Sequence, residues 1–201
     1  NQRIFIVNAQ KGAVDVLNAA DPANPVLLQE LTVESITEGA VVNSIAYKGG
    51  YLAVAVEAPT KTDNGWVALF DATSLEMLGY EQVGAQPDMV TFTPDGEYVL
   101  TANEGEPSTD YQIDPVGSIS ILGVSEGQLV EVRTAGFSAF NTQADALRSA
   151  GVRIYGPNAS VEQDLEPEYI AISSDSGTAW VWLQENNALA KVDIATATVT
   201  D

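Results

Sequence analysis

Four segments of the chain repeat one pattern, and that repetition limits the fold more than any other feature. Each is an apolar strand, a turn, a second strand, a polar loop and a third strand. The clearest copy runs from Asp88 to Asn103 and returns at Gly117–Leu122. In it, Val90 and Phe92 alternate with Thr91 and Thr93, as on a half-buried strand. Pro94-Asp95-Gly96 is a turn in which glycine supplies positive φ. A second copy covers Asn43–Gly50, Tyr51–Val56 and Gly65–Asp71, and a last one Glu168–Gly177, Thr178–Leu183 and Ala188–Ile194. The first copy has only Arg3–Val7 and Gly12–Leu17, which match the second and third strands.

Copies two and three stand about 45 residues apart, the spacing of four-stranded propeller blades. Stacked blades bury both faces of each sheet, which suits an all-apolar run such as Leu52-Ala-Val-Ala-Val56. A β-sandwich also gives short strands and turns, but here the turns and loops recur along with the strands. The expectation is therefore an all-β fold, a partial β-propeller over residues 1–201, with about four blades. An insertion at about 125–165 carries a short helix near 141–150, with Asn141 as a candidate cap and Gly151 as its end. The chain ends shortly after a third strand. The remaining blades are thus expected from the same protein or a second chain.

Charge narrows the function. Lys+Arg number 8 against 28 Asp+Glu, a net charge of -20. Such a surface repels nucleic acid and anionic lipid and favours cations or cationic ligands. No Cys and no His are present, which removes thiolate metal sites and Ser–His or Cys–His catalytic pairs from this chain. No Gly-x-Ser-x-Gly elbow or phosphate loop occurs, and no apolar run is long enough to span a membrane.

Several motifs together resemble the choice-of-anchor I family: Pro87–Gly96, Ala102–Ser108, Gly151–Ile154 with Gly156-Pro157, Asp164–Ile170 and Leu183–Ala188. The resemblance covers most of the chain from about residue 40. It implies a seven-bladed type of propeller and an extracytoplasmic protein, secreted, periplasmic or on the cell surface. The family often carries an alkaline phosphatase-like label, but the resemblance transfers no catalytic residue to this chain.

In a propeller, the loops entering the innermost strand and leaving the second strand share one face. Aligning the copies puts Ser44, Asp88 and Glu168 at the first position, and Glu57, Asn103-Glu104 and Gln184-Glu185 at the second, with Asn8 and Gln10 in the first copy. Converging carboxylates repel unless a cation neutralises them, and hard oxygen donors suit calcium or magnesium. The candidate metal residues are Asp88, Glu104, Glu106, Glu166, Glu168 and Glu185. They read equally as solvated acids or turn caps, since no Asp-x-Asp-x-Asp-Gly calcium loop accompanies them. Tyr111, in the long acidic loop Asn103–Asp114, is either a binding aromatic or loop packing. Trp180 and Trp182 share one strand face, as inter-blade core or as a carbohydrate-stacking pair.

Two functions remain. One is a binding, adhesion or surface and filament assembly module, stabilised by cations. The other is a calcium-dependent phosphoesterase, with carboxylate-bound metals activating water. The enzyme would also need basic residues around its phosphate, for which Lys11 and Lys61 are the best placed.

Overall fold

The computed structural model describes residues 2–201. The chain builds four antiparallel sheets in sequence order, each a propeller blade. The first has three strands, β1 (Arg3–Asn8), β2 (Ala13–Asn18) and β3 (Val26–Thr32). The second is β4 (Val41–Lys48), β5 (Tyr51–Glu57), β6 (Asn64–Asp71) and β7 (Met77–Ala85). The third is β8 (Pro87–Phe92), β9 (Tyr98–Asn103), β10 (Ser118–Ser125) and β11 (Gln128–Gly136). The fourth is β12 (Tyr169–Ile172), β13 (Thr178–Leu183), β14 (Ala188–Asp193) and the two-residue β15 (Thr198–Val199). Strands β4, β8 and β12 are innermost: β4 lies beside β8 and β8 beside β12.

Burial follows each blade's neighbours. In the two interior blades, strands are buried on both faces: Leu52 to Val56 are all at most 1% exposed, and Ser118 to Gly123 are all buried. In the outer blades, burial alternates. Val181 and Leu183 are buried, while Trp180 and Trp182 stand half-exposed on the other face. Three apolar layers fill the gaps between blades. Val14, Val16 and Val54 represent the first, Val67, Leu69 and Val99 the second, and Ile119, Ile121 and Val181 the third. Each such side chain contributes roughly 1.5–3 kcal/mol by leaving water.

A small recurring device locks the blades. Gly12 and Gly117 stand just before a third strand, and Gly65 is the second residue of one. A Cβ on Gly65 would collide with the Val56 carbonyl and Pro87, and one on Gly117 with the Leu165 carbonyl and Pro167. The lead-in segment of the next blade thus lies directly over the glycine, and only a residue without a side chain permits that approach.

The sequence expectations for the insertion are corrected in detail. Residues 128–136 form β11, the outer strand of the third blade, so the insertion begins after Gly136. Within it the helix is α1 (Ala144–Ala150), preceded by a 3-10 segment Ser138–Gln143 and ended by Gly151 at φ 100°. Asn141 does not cap α1. Its amide donates to Glu162 Oε1 at 2.9 Å and its oxygen accepts from the Glu162 N–H at 3.0 Å, so it holds a second short helix, α2 (Val161–Asp164). The segment after Asp193 returns as β15, which pairs with β14 of its own blade.

Candidate functional site

The starts of the inner strands and the ends of the second strands share one face, because the strands are antiparallel: Pro87 pairs with Asn103 and Val41 with Glu57. Two of the inner strands, β4 and β8, open with a bulge. Asp88 is the bulged residue of β8, between Pro87 and Met89, and Asn43 is that of β4, between Val42 and Ser44. The equivalent of Asp88 is therefore Asn43, one residue from the sequence-based alignment, which could not show a bulge. Ser44 does other work: its hydroxyl accepts the Val90 N–H at 3.2 Å and ties two inner strands together. Asn43 donates to Glu57 Oε2 at 2.7 Å and to the Pro87 carbonyl at 3.2 Å.

The candidate acids lie in one mutual field. Burial first, then the charges of Glu106, Asp88, Glu166 and Glu168, push Glu104 up to about 8 from an ordinary 4.5. Burial, followed by Glu106, Asp164, Glu185 and Asp114, raises Glu166 to about 7. Asp88 is raised by burial and by Glu57 and Glu106. Glu168 is raised by burial and by Glu185, Asp88 and Glu106. Glu106 goes the other way, because Lys61 donates to it at 2.5 Å and holds it ionised. Lys61 comes from the second blade and Glu106 from the third, so this pair bridges the blades. Among the described residues it is the one ion pair that reaches any of the six acids.

A shared field is not a coordination shell. Among the described residues, no three carboxylates are grouped closely enough to hold a metal ion. Gln86 occupies part of the space. Its amide donates to Glu104 Oε2 at 2.5 Å and to Glu106 Oε2 at 3.1 Å, and its oxygen accepts the Glu106 N–H at 3.2 Å. Beside it opens a cleft of about 470 Å³, lined by Lys61, Glu106, Tyr111, Tyr155, Glu166 and Glu185 among others. Tyr111 and Tyr155 are each about half exposed on its wall, and the Arg153 guanidinium stacks 5.0 Å from the Tyr155 ring centre.

The insertion carries Tyr155 and Glu166, and two buried side chains fix it. The Asp164 carboxylate accepts the N–H groups of Tyr155 at 2.7 Å and Gly156 at 2.6 Å. The Asn186 side chain, fully buried, donates to the carbonyls of Arg153 at 2.9 Å and Asp164 at 2.5 Å, and accepts the Glu166 N–H at 3.0 Å. Asn103, also fully buried, donates to Ser118 and Ser120 at 3.1 and 2.9 Å. Sequence reasoning did not single out Gln86, Tyr155, Asp164 or Asn186. The Glu-Asn-Asn run before Ala188 was the available signal for Asn186, since turn amides commonly bond backbone.

Successive antiparallel sheets of three or four strands, stacked face to face with their inner strands side by side, define a β-propeller. The β-propeller domain of Myceliophteria thermophila Cps50 (Swd1) aligns over 99% of this chain at TM-score 0.66 and 12% identity. This chain spans 55% of that domain. Saccharomyces cerevisiae Sqt1 aligns over 96% at TM-score 0.51 and 9% identity, with 38% of its length spanned. Kuenenia stuttgartiensis hydrazine synthase aligns over 96% at TM-score 0.50 and 12% identity, with 61% spanned. At these identities the likeness is one of fold. No curated protein matches the sequence. The chain belongs to the choice-of-anchor I domain family, whose model matches residues 1–201.

Proposed function

We propose that this propeller module works outside the cytoplasm, at or near the cell surface, as a binding and assembly element whose acidic face takes up a divalent cation, calcium in the first instance. One observation carries the reading. Asp88, Glu104, Glu166 and Glu168 are all shifted toward the protonated form by burial and by one another, and Lys61 is the sole basic group paired with the cluster among the described residues. A face built this way gains free energy from any cation that enters it. The donors are oxygens throughout, which suits calcium or magnesium. Gln86 bridges Glu104 and Glu106, and Lys61 pairs with Glu106, so a cation that takes these carboxylates replaces those bonds. The family name, with its reference to an anchor, supports a surface location. No helix among the described residues is long and apolar enough to cross a membrane. Phosphoester hydrolysis is less well supported, because the one lysine lining the cleft is engaged by Glu106.

The test is calorimetric titration of chelator-treated protein with calcium and with magnesium, alongside thermal melts. Saturable heat and a raised Tm are expected, both weakened by Glu104→Gln and Glu166→Gln. No heat together with an unmoved Tm would remove the cation from the proposal.

A further inference from the structure

The chain holds two Asp–Pro bonds, Asp21–Pro22 and Asp114–Pro115. Such a bond carries the parts of its own scission. The aspartate carboxyl can close a five-membered ring on its own backbone carbonyl, and the proline nitrogen, part of a tertiary amide without N–H, is the leaving group. An attacking group held within the reacting molecule reaches an effective concentration of about 10⁵–10⁸ M when its geometry is right. Whether the reaction runs depends on the state of the carboxyl, on what its oxygens already bond, and on what steadies the carbonyl.

The two carboxyl groups differ. Asp21 is exposed in the turn between β2 and β3. Its Oδ1 accepts the Ala23 N–H at 3.0 Å and its Oδ2 the Asn24 side-chain amide at 2.8 Å. The Asn24 bond first, then the Ala23 bond, hold it ionised. Asp114 lies in the loop between β9 and β10, beside a small polar pocket shared with Tyr155, Gln163 and Asp164. Its Oδ1 is buried and has no hydrogen-bond partner among the described residues. Burial, then the charge of Asp164, push this carboxyl toward the neutral acid.

The Asp114 carbonyl is held as well. Gln163, on α2, donates its Nε2 to that oxygen at 2.8 Å. The Gln163 Oε1 accepts the N–H and the hydroxyl of Ser160 at 3.0 and 2.9 Å, which fixes the orientation of the amide. Backbone bonds pin both flanks: the Ile113 carbonyl accepts the Ser108 N–H at 2.8 Å, and the Glu162 carbonyl accepts the Gly117 N–H at 2.9 Å. The Asp21 carbonyl also accepts a bond, from the Asn24 N–H at 3.1 Å, so the contrast between the two sites lies in the carboxyl. Pro115 borders a groove of about 360 Å³, which gives the departing nitrogen room to hydrate.

We infer that Asp114–Pro115 is a self-cleaving peptide bond, with Asp114 as the nucleophile and Gln163 as the donor to the developing oxyanion. Asp114 Oδ1 bonds to the Asp114 backbone carbonyl carbon, and the carbonyl oxygen takes up charge against Gln163 Nε2. The carboxyl proton passes to the Pro115 nitrogen. The C–N bond breaks with its electron pair on nitrogen, leaving Asp114 as a cyclic anhydride. Water opens the anhydride, so the products are a chain ending in Asp114 and a chain beginning with Pro115, together one water heavier than the parent. The pieces stay assembled, because β9 and β10 pair across the cut from Asn103↔Ser118 to Tyr98↔Gly123. The acidic loop that carries Glu104 and Glu106 is then joined to the chain through β9 only.

The test incubates the native 201-residue protein in mildly acidic buffer and follows it by denaturing electrophoresis and intact mass. Fragments of residues 1–114 and 115–201 are expected, with Asp21–Pro22 cut at least about tenfold more slowly in the same molecules. Hydroxylamine added during the reaction should trap the anhydride as a hydroxamate on fragment 1–114. Asp114→Ala should not cleave at this bond. Gln163→Glu keeps an oxygen acceptor for Ser160 but loses the N–H donor, and should slow cleavage at least about tenfold with unchanged circular dichroism. In urea the two Asp–Pro bonds should cleave at equal rates, because the advantage belongs to the fold. A native protein that stays intact, equal cutting at both bonds, fragments without hydroxamate, or a wild-type rate in Gln163→Glu overturns the proposal.

Discussion

Replacing Asn186 with alanine tests whether the insertion is held to the propeller by one buried amide. The side chain makes three hydrogen bonds to backbone, and in Asn186→Ala two carbonyls and one N–H lose their partner at a fully buried position. Each buried group left unpaired costs about 1–3 kcal/mol. If the site stayed dry the sum would be about 3–9 kcal/mol; water entering the vacated space brings it to roughly 3–4 kcal/mol. With a urea dependence of about 2 kcal/mol/M for a domain of this size, the unfolding midpoint should fall by roughly 1.5–2 M. Hydrogen exchange should locate the damage, with the amides of Glu166 and of the turn around Tyr155 losing protection before those of β9 and β10. A midpoint within about 0.5 M of wild type, with Glu166 still protected, would refute the reasoning. The insertion would then be held by its apolar contacts, such as Phe137, Ile154 and Leu165 against the fourth blade.

Two further outcomes follow from the geometry. Glu104 has a folded-state pKa of about 8 against 4.5 unfolded, so the folded protein holds this proton more tightly, and stability falls as pH rises from about 4.5 through about 8. At roughly 1.4 kcal/mol per pH unit the full difference is about 5 kcal/mol, which solvent reaching the side chain reduces to about 2 kcal/mol. In chelator-containing buffer, Glu104→Gln should match wild type near pH 5 and exceed it by that amount at pH 9 in urea unfolding; equal stability at pH 9 would contradict the burial and repulsion argument. Gly117→Ala places a Cβ against the Leu165 carbonyl and Pro167 and should lower stability by about 2 kcal/mol or more, whereas Gly136→Ala, which meets nothing nearby, should sit within about 1 kcal/mol of wild type. Differential scanning calorimetry separates the two glycines.

The fold was legible because its signals are local and repeated. Alternation at Val90 and Phe92, the Pro94-Asp95-Gly96 turn and the all-apolar β5 recur at blade spacing, and stacking then follows from needing to cover both faces. The two tryptophans were placed on one face by their spacing, but whether that face is covered depends on a neighbouring blade, which no local pattern reports. Register was harder. The bulges at Asn43 and Asp88 add a residue without changing composition, so Ser44 and Asp88 aligned by sequence although Asn43 is the structural match. Asn141 carried a helix-cap signature, yet its side chain holds Glu162, 21 residues away; a cap motif cannot reveal a competing long-range partner. The acids Asp88, Glu104, Glu106, Glu166, Glu168 and Glu185 were named from strand ends, and they share one field. Gln86 and Asn186 were invisible because their roles depend on partners distant in sequence, Glu104 and Glu106 for Gln86 and the backbone of the insertion for Asn186.

The glycines at the starts of the third strands carry a temporal consequence. Because the lead-in to each blade roofs the sheet made before it, no blade is finished when its own strands are complete; Gly65 waits for Pro87, and Gly117 for Leu165. During synthesis, native structure must therefore trail the ribosome by about one blade, with each sheet waiting on its successor for its last contacts. Translation pauses that fall just before a roofing segment would lengthen the exposure of an unroofed sheet, whereas pauses just after it would let the completed unit settle.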